Sequence, residues 1–314
     1  TEPTVKVVEY AISSELPISP KKQIILLGSL ILGLLIPFAS IYLIFLFNTK
    51  IHIKKDIEDL NIGTSIVGEI PLLNENESKI FQNPEDRNVL AESFRILSSN
   101  INYLIPENTG TTDGRVILST STIKGEGKSF VAINISLALA SIGKKVLLIG
   151  ADLRNPQLHK YLSADKEIEG LTSYLIDSNF DWKSIVLNKF KHLPNHSTLL
   201  AGNIPPNPAQ LLSNGNFEKI ISQAKEEYDY IIIDTAPTLL VTDTLLISDN
   251  ADTIVYVSRS NFTEKELLNF PKDLIKEAKL KNVGLVLNGV GANAKYGYGY
   301  NYGYGYGYSN SEDS

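Results

Sequence analysis

Five short apolar runs, at 116–118, 146–149, 230–233, 254–257 and 284–287, decide what the second half of this chain can fold into. None alternates apolar with polar residues, so each needs cover on both faces. Helix-forming stretches separate the runs. That order predicts an α/β fold, a mostly parallel sheet flanked by helices. Residues 67–71 read as a further short strand inside a linker. Residues 91–104 read as a helix with Phe94, Leu97, Ile101 and Leu104 on one stripe.

The first half carries a different signal. Residues 24–47 contain no charged side chain. At 1.5 Å per residue they would span ~36 Å, enough for a bilayer core of ~30 Å. A transmembrane helix is expected at 23–47, with Pro37 kinking it. Lys21 and Lys22 flank one end, and Lys50, Lys54 and Lys55 the other, a slight preference for a cytoplasmic C-terminal side. Residues 48–85 then read as a juxtamembrane linker, and 86–292 as one domain.

Composition removes several chemistries. Cysteine is absent, so there is no disulfide, thiolate nucleophile or cysteine metal site. The net charge of -6 argues against nucleic acid as a partner. His52, His159, His192 and His196 show no ligand spacing and read as ordinary surface or loop histidines. The chain begins at Thr1 and contains no Met, and is expected to be part of a longer protein.

Three motifs carry chemistry. Gly125-Glu126-Gly127-Lys128-Ser129 follows the first apolar run and opens a helix, which Gly143 can end. Glycines let main-chain N–H groups surround phosphate oxygens, and the helix N-terminus adds partial positive charge. Lys128 supplies a charge to the outer phosphates and Ser129 a hydroxyl to Mg²⁺. The full P-loop pattern opens on Gly, where this chain has Thr122. Two further apolar runs deliver Asp152 and Asp234 to strand ends, where ligands bind in open α/β sheets and where a carboxylate can hold Mg²⁺. The expected nucleotide site comprises Gly125, Glu126, Gly127, Lys128, Ser129 and Phe130. The expected metal set is Ser129, Asp152 and Asp234.

Seven tyrosines, Tyr296, Tyr298, Tyr300, Tyr302, Tyr304, Tyr306 and Tyr308, close the chain with glycine between them except at Asn301. This 293–314 stretch has no Leu, Ile, Val or Phe to bury and is expected to be a disordered string of phenolic hydroxyls.

These motifs together resemble the bacterial protein-tyrosine kinases attached to polysaccharide chain-length-determinant membrane proteins. The resemblance covers about residues 86–308 and rests on 125–129 (Walker A), 146–154 (Walker A′) and 231–237 (Walker B). The stretches 67–71 and 201–208 look familial too. It implies a P-loop NTPase-like fold and an ATP- and Mg²⁺-dependent kinase that phosphorylates its own tail. Lys128, Asp152 and Asp234 would be catalytic, Asp152 taking the phenolic proton. Asn288 resembles an adenine-contacting Asn. Glu92 and Arg95 match a subunit-contact motif whose third place holds Ser98. Gly150 replaces the first Asp of an Asp-x-Asp pattern.

The resemblance further implies a homo-oligomeric ring, an octamer, at the bacterial inner membrane with the kinase domain and C-terminus cytoplasmic. Residues 1–22 would close an extracytoplasmic chain-length-determinant region. The partners implied are the polysaccharide polymerisation and export machinery and a protein-tyrosine phosphatase. The P-loop alone is equally compatible with an ATP-gated assembly switch or a non-catalytic polysaccharide co-polymerase, and the tail favours the kinase.

Overall fold

A computed structural model describes residues 19–73, 80–81, 85, 88–105, 113–165 and 168–291. The chain divides into two units, Thr1–Thr49 and Lys50–Ser314. The tail tyrosines Tyr296 to Tyr308 and most of the expected extracytoplasmic segment lie outside the described residues.

The first unit holds one long helix, α1 (Lys22–Leu46), which continues through Pro37. Residues Lys22–Ile44 have a mean hydropathy of 2.5, and none of that stretch is buried within the protein. Exposed Leu26, Leu30 and Ile36 would each cost transfer free energy in water. The helix is long and apolar enough to cross a membrane, and it fits a membrane anchor.

The second unit is built on a seven-stranded sheet. Its strands are β1 (Ile66–Pro71), β2 (Arg115–Ser121), β3 (Val146–Gly150), β4 (His196–Leu199), β5 (Tyr230–Asp234), β6 (Thr253–Arg259) and β7 (Val283–Val290). They lie in the order β1-β7-β6-β2-β5-β3-β4, and every pairing is parallel. Successive residues of the central strands feed opposite cores. Val116, Leu118, Leu147, Ile149, Ile231 and Ile233 enter one, and Ile117, Leu148 and Ile232 the other. Burial on both faces explains why these strands show no alternation.

Helix α2 (Lys54–Glu58) precedes the sheet. Two longer helices cover the second core. α3 (Val89–Asn102) starts where the Asn88 side chain accepts from Ala91 N at 2.7 Å, and it buries Phe94, Leu97 and Ile101. α4 (Lys128–Ser141) is apolar around its circumference and buried from Val131 to Ala140, because it is sandwiched between α3 and the sheet.

Two sequence expectations change here. The stretch 48–85, expected as a linker, contributes α2 and the edge strand β1. β1 is the strand expected at 67–71, but its pairing with β7, more than 200 residues away, is reported by no local pattern. Gly68 permits the close approach, since a Cβ there would stand 2.9 Å from Leu97 Cδ1. His196, expected at the surface, instead opens β4 and is buried. Its Nε2 lies 2.8 Å from Ser136 Oγ on α4, and burial lowers its pKa to about 4. β4 itself has a mixed His-Ser-Thr-Leu sequence and no apolar run to announce it.

Candidate active site

Between β2 and α4 the chain makes a tight loop over residues 122–127. Gly125 and Gly127 take φ of 99° and 103°, a region L side chains rarely adopt. At Gly127 space is limiting as well, because a Cβ would run into the amide nitrogen of Asn288.

Glu126, between the two glycines, turns its side chain under the loop. Oε2 accepts from Ile123 N at 2.7 Å, and Oε1 accepts from the Thr263 hydroxyl at 2.6 Å. The residue is fully buried, and that burial pushes its carboxyl up to about 7. Its carbonyl accepts from Asn288 Nδ2 at 2.9 Å. The Glu126 side chain and the Asn288 amide thus both hold the loop in shape, and Asn288 also lines the cleft described below. Thr263 also accepts from Arg259 N at 2.9 Å, which ties the same corner to the end of β6.

Lys128, the first residue of α4, meets two carboxylates. Its Nζ lies 2.7 Å from Asp152 Oδ2 and 3.6 Å from Asp234 Oδ1. Asp152 stands just beyond β3, its Oδ1 accepting from Asn155 N at 3.0 Å. Asp234 ends β5, opposite Gly150 in the parallel register. Burial raises the Asp234 carboxyl above the ordinary range, against the pull of Lys128 and Ser129. Burial opposes the Lys128 charge, yet Asp234 and Asp152 together hold the ammonium above the usual lysine range. Asp234 Oδ1 receives no hydrogen bond among the described residues. Ser129 Oγ lies 3.5 Å from Lys128 Nζ. Lys128, Ser129, Asp152 and Asp234, scattered over 107 positions of sequence, are thus brought to one point.

Lys128, Ser129 and Asp152 of this cluster floor an open cleft of about 1060 Å³. Phe130 lines it and packs edge-on against Phe94, ring centroids 5.7 Å apart. Leu72, Leu73 and Ile80 form an apolar wall from the segment that the sequence suggested was a linker. Two arginines were given no role from sequence. Arg259 ends β6, donates to the Gly125 carbonyl at 3.1 Å and stands 5.4 Å over the Phe262 ring. Arg154 grips Asp243 with two bonds of 2.7 and 2.9 Å. Both follow apolar strands at the end where ligands bind, the signal that could have singled them out.

Among the described residues, no group of three or more His, Cys, Asp or Glu side chains could hold a metal alone. A cation here would need oxygens from a bound phosphate, as Mg²⁺ commonly does. The Asp234 Oδ1, which accepts no hydrogen bond among the described residues, and the Ser129 hydroxyl fit that demand. Glu92 and Arg95 lie elsewhere, on α3. They pair at 3.3 Å, and Arg95 also covers the Phe81 ring at 5.2 Å.

Residues 114–282 match the family described as AAA domain. The tyrosine-protein kinase YwqD of Bacillus subtilis is 35% identical over 205 residues, covering 65% of this chain and 83% of that protein. This chain is a bacterial tyrosine-protein kinase. A putative tyrosine-protein kinase in the cps region of Klebsiella pneumoniae is 29% identical to this kinase over 310 residues, 91% of the chain. The kinase spans only 40% of that longer relative. The kinase domain of the Escherichia coli tyrosine kinase ETK superposes with a TM-score of 0.66 at 25% identity, covering 80% of this kinase and all of that chain. The fold and the nucleotide-binding loop expected from sequence therefore belong to a tyrosine kinase.

Proposed function

We propose that this kinase transfers the γ-phosphoryl group of ATP to its own C-terminal tyrosines, Tyr296 to Tyr308. One observation carries the proposal: Lys128 is held between Asp152 and Asp234 at the floor of a cleft that Gly289 also lines, and seven tyrosines follow Gly289 in the sequence.

Each residue has a stated part. The main chain of 125–129 and the N-terminus of α4 cradle phosphate oxygens. Lys128 neutralises charge on the transferring group. Ser129, Asp152 and Asp234 would hold Mg²⁺, which supplies further charge neutralisation when bound. Asp152 orients the phenol. As the phenolic O–P bond forms, the bond from the γ-phosphorus to the β–γ bridging oxygen breaks and ADP leaves, while the phenolic proton passes toward that carboxylate. Phosphoryl transfer is largely dissociative, so positioning contributes more than base strength.

The wider setting is proposed on the same basis. α1 crosses the inner membrane with the kinase domain and tail in the cytoplasm, where ATP is. Neighbouring copies assemble in a ring of eight through the α3 region of Glu92 and Arg95, and phosphorylate one another's tails. Each phosphotyrosine adds about 1.5 to 2 negative charges, and that repulsion loosens the ring. The assembly serves capsular or exopolysaccharide synthesis and export, and a phosphatase resets it. A relative named for a cps region supports this setting.

The test is to incubate the purified chain with Mg·ATP and map phosphotyrosine by mass spectrometry. Phosphate on the tail that vanishes in Lys128→Met is the expected result. Tail labelling that survives Lys128→Met would overturn the mechanism. Nucleotide-dependent assembly without any phosphotyrosine would favour the assembly-switch reading instead.

A further inference from the structure

The turn that follows Asp234 presents an exposed leucine to the cleft. Leu240 is 79% exposed, yet it lines the same cleft as Lys128 and Asp152, beside Pro237 and Val241. Exposed apolar residues are common on protein surfaces and carry no meaning singly. Here the backbone around the residue is fixed on both sides. Thr238 N donates to Ser121 O at 2.9 Å and Leu239 N to Thr122 O at 3.2 Å. The Thr238 hydroxyl lies 2.6 Å from the buried Tyr256 hydroxyl. Beyond Leu240, Asp243 is buried and locked by the two-bond grip of Arg154, which itself follows Asp152 by two residues. The turn cannot fold Leu240 inward without breaking these bonds. Leu240 therefore stands as an apolar lip of the cleft, on a turn anchored at both ends.

The acceptor segment matches such a lip. In the Tyr-Gly repeat, glycine or Asn301 separates successive tyrosines, so the ring is the only large apolar group available for recognition. The repeat carries no charge from Tyr296 to Tyr308, so ion pairing cannot select it. The root of this segment is also at hand: Asn288 and Gly289 line the cleft. Tyr296 follows seven residues after Gly289, a reach of up to about 24 Å when extended.

We infer that Leu240 is a specificity-determining residue for the acceptor, packing against the ring of the tyrosine presented to Asp152 and so selecting tyrosines flanked by glycine. This rests on the tail-phosphorylation reading above. Leu240 acts on the acceptor only, leaving ATP binding and the chemical step to the loop and its carboxylates.

The experiment uses the full chain with serine in place of the seven tail tyrosines, and the peptide Gly-Tyr-Gly-Tyr-Gly as acceptor. Leu240→Ser is expected to raise KM for the peptide about five- to tenfold, the effect of losing part of one leucine's apolar contact. KM for ATP and kcat should not change, and Leu240→Met should behave as the parent. An unchanged peptide KM, or an equal shift in KM for ATP, overturns the assignment. Because Leu240 is exposed, loss of folding is not expected to obscure the result. If the chain with its native tail phosphorylates neither tail nor peptide while still binding ATP, the tail-phosphorylation reading falls and this one with it. Tail phosphorylation with an indifferent Leu240 removes this inference alone.

Discussion

Asn288, near the end of β7, donates its side-chain amide to the main-chain carbonyl of Glu126 at 2.9 Å, and the same nitrogen occupies the space a Cβ on Gly127 would need. The last strand of the sheet thus holds the phosphate loop from the side. Asn288→Ala should weaken ATP, GTP and inorganic triphosphate by a similar factor, about five- to tenfold, the scale of one lost hydrogen bond. Calorimetric titration of the three ligands decides it. A loss confined to ATP would instead assign Asn288 to the adenine base.

Lys128 is expected to stabilise the fold. It is buried between Asp152 and Asp234, and removing it leaves two carboxylates without their shared cation. Lys128→Met should cost about 3 kcal/mol of folding stability at pH 7. The loss should shrink at pH 5, where the already raised Asp234 carboxyl is more readily neutralised. Urea unfolding at the two pH values measures this. Equal losses at both would mean that the carboxylates are stabilised by other groups.

Glu126 and His196 bias stability in opposite directions over the same pH range. Burial raises the Glu126 carboxyl from 4.5 to about 7, so the folded state binds more protons than the unfolded chain in that window. Stability from this group falls as pH climbs through it, by about 3 kcal/mol in all. Burial lowers His196 from 6.5 to about 4, so there the unfolded chain binds more protons and stability rises with pH by a similar amount. Relative to the parent, Glu126→Gln should therefore make stability rise more steeply from pH 4.5 to 6.5, and His196→Gln should make it fall. Denaturation curves at pH 4.5, 5.5 and 6.5 compare the slopes. Slopes that change in the same direction would contradict the assignment.

Arg154 holds the turn that carries Leu240. Its two bonds to buried Asp243 need the planar guanidinium fork, which a lysine ammonium cannot reproduce. Arg154→Lys should keep the charge yet loosen residues 237–243, raising KM for a tyrosine acceptor about two- to threefold, a part of the effect of losing one hydrogen bond because the turn acts on the acceptor only through Leu240. Hydrogen exchange at Thr238 and Leu239 should quicken in parallel. Unaltered exchange there would show that the bonds to Ser121 and Thr122 are enough to fix the turn.

Local pattern announced much of this protein. The apolar strands at 116–118, 146–149, 230–233, 254–257 and 284–287 are each part of an observed strand, because burial on both faces leaves a continuous apolar run. The phosphate loop was legible from its glycines, and α1 from a run of uncharged residues. β4, and the place of the expected strand β1 in the sheet, were harder. Both are edge strands with mixed sequences, and their partners lie far away in the chain or carry the hydrophobic signal for both. His196 looked like a loop residue because burial is a property of its neighbours, Ser136 and Phe190 among them.

By itself, then, the sequence determined the fold class, the membrane-length helix, the glycine-rich loop at 125–129 and the presence of seven closely spaced tyrosines. Residue types and short-range periodicity are enough for these, since strand burial, helix length and loop conformation are local demands. Only the tertiary structure decided that Lys128 meets Asp152 and Asp234, that Asn288 and Glu126 brace the loop, and that Leu240 faces the cleft. Those relations join residues from separate strands, and they exist only once parallel pairing has brought the strand ends to one edge of the sheet.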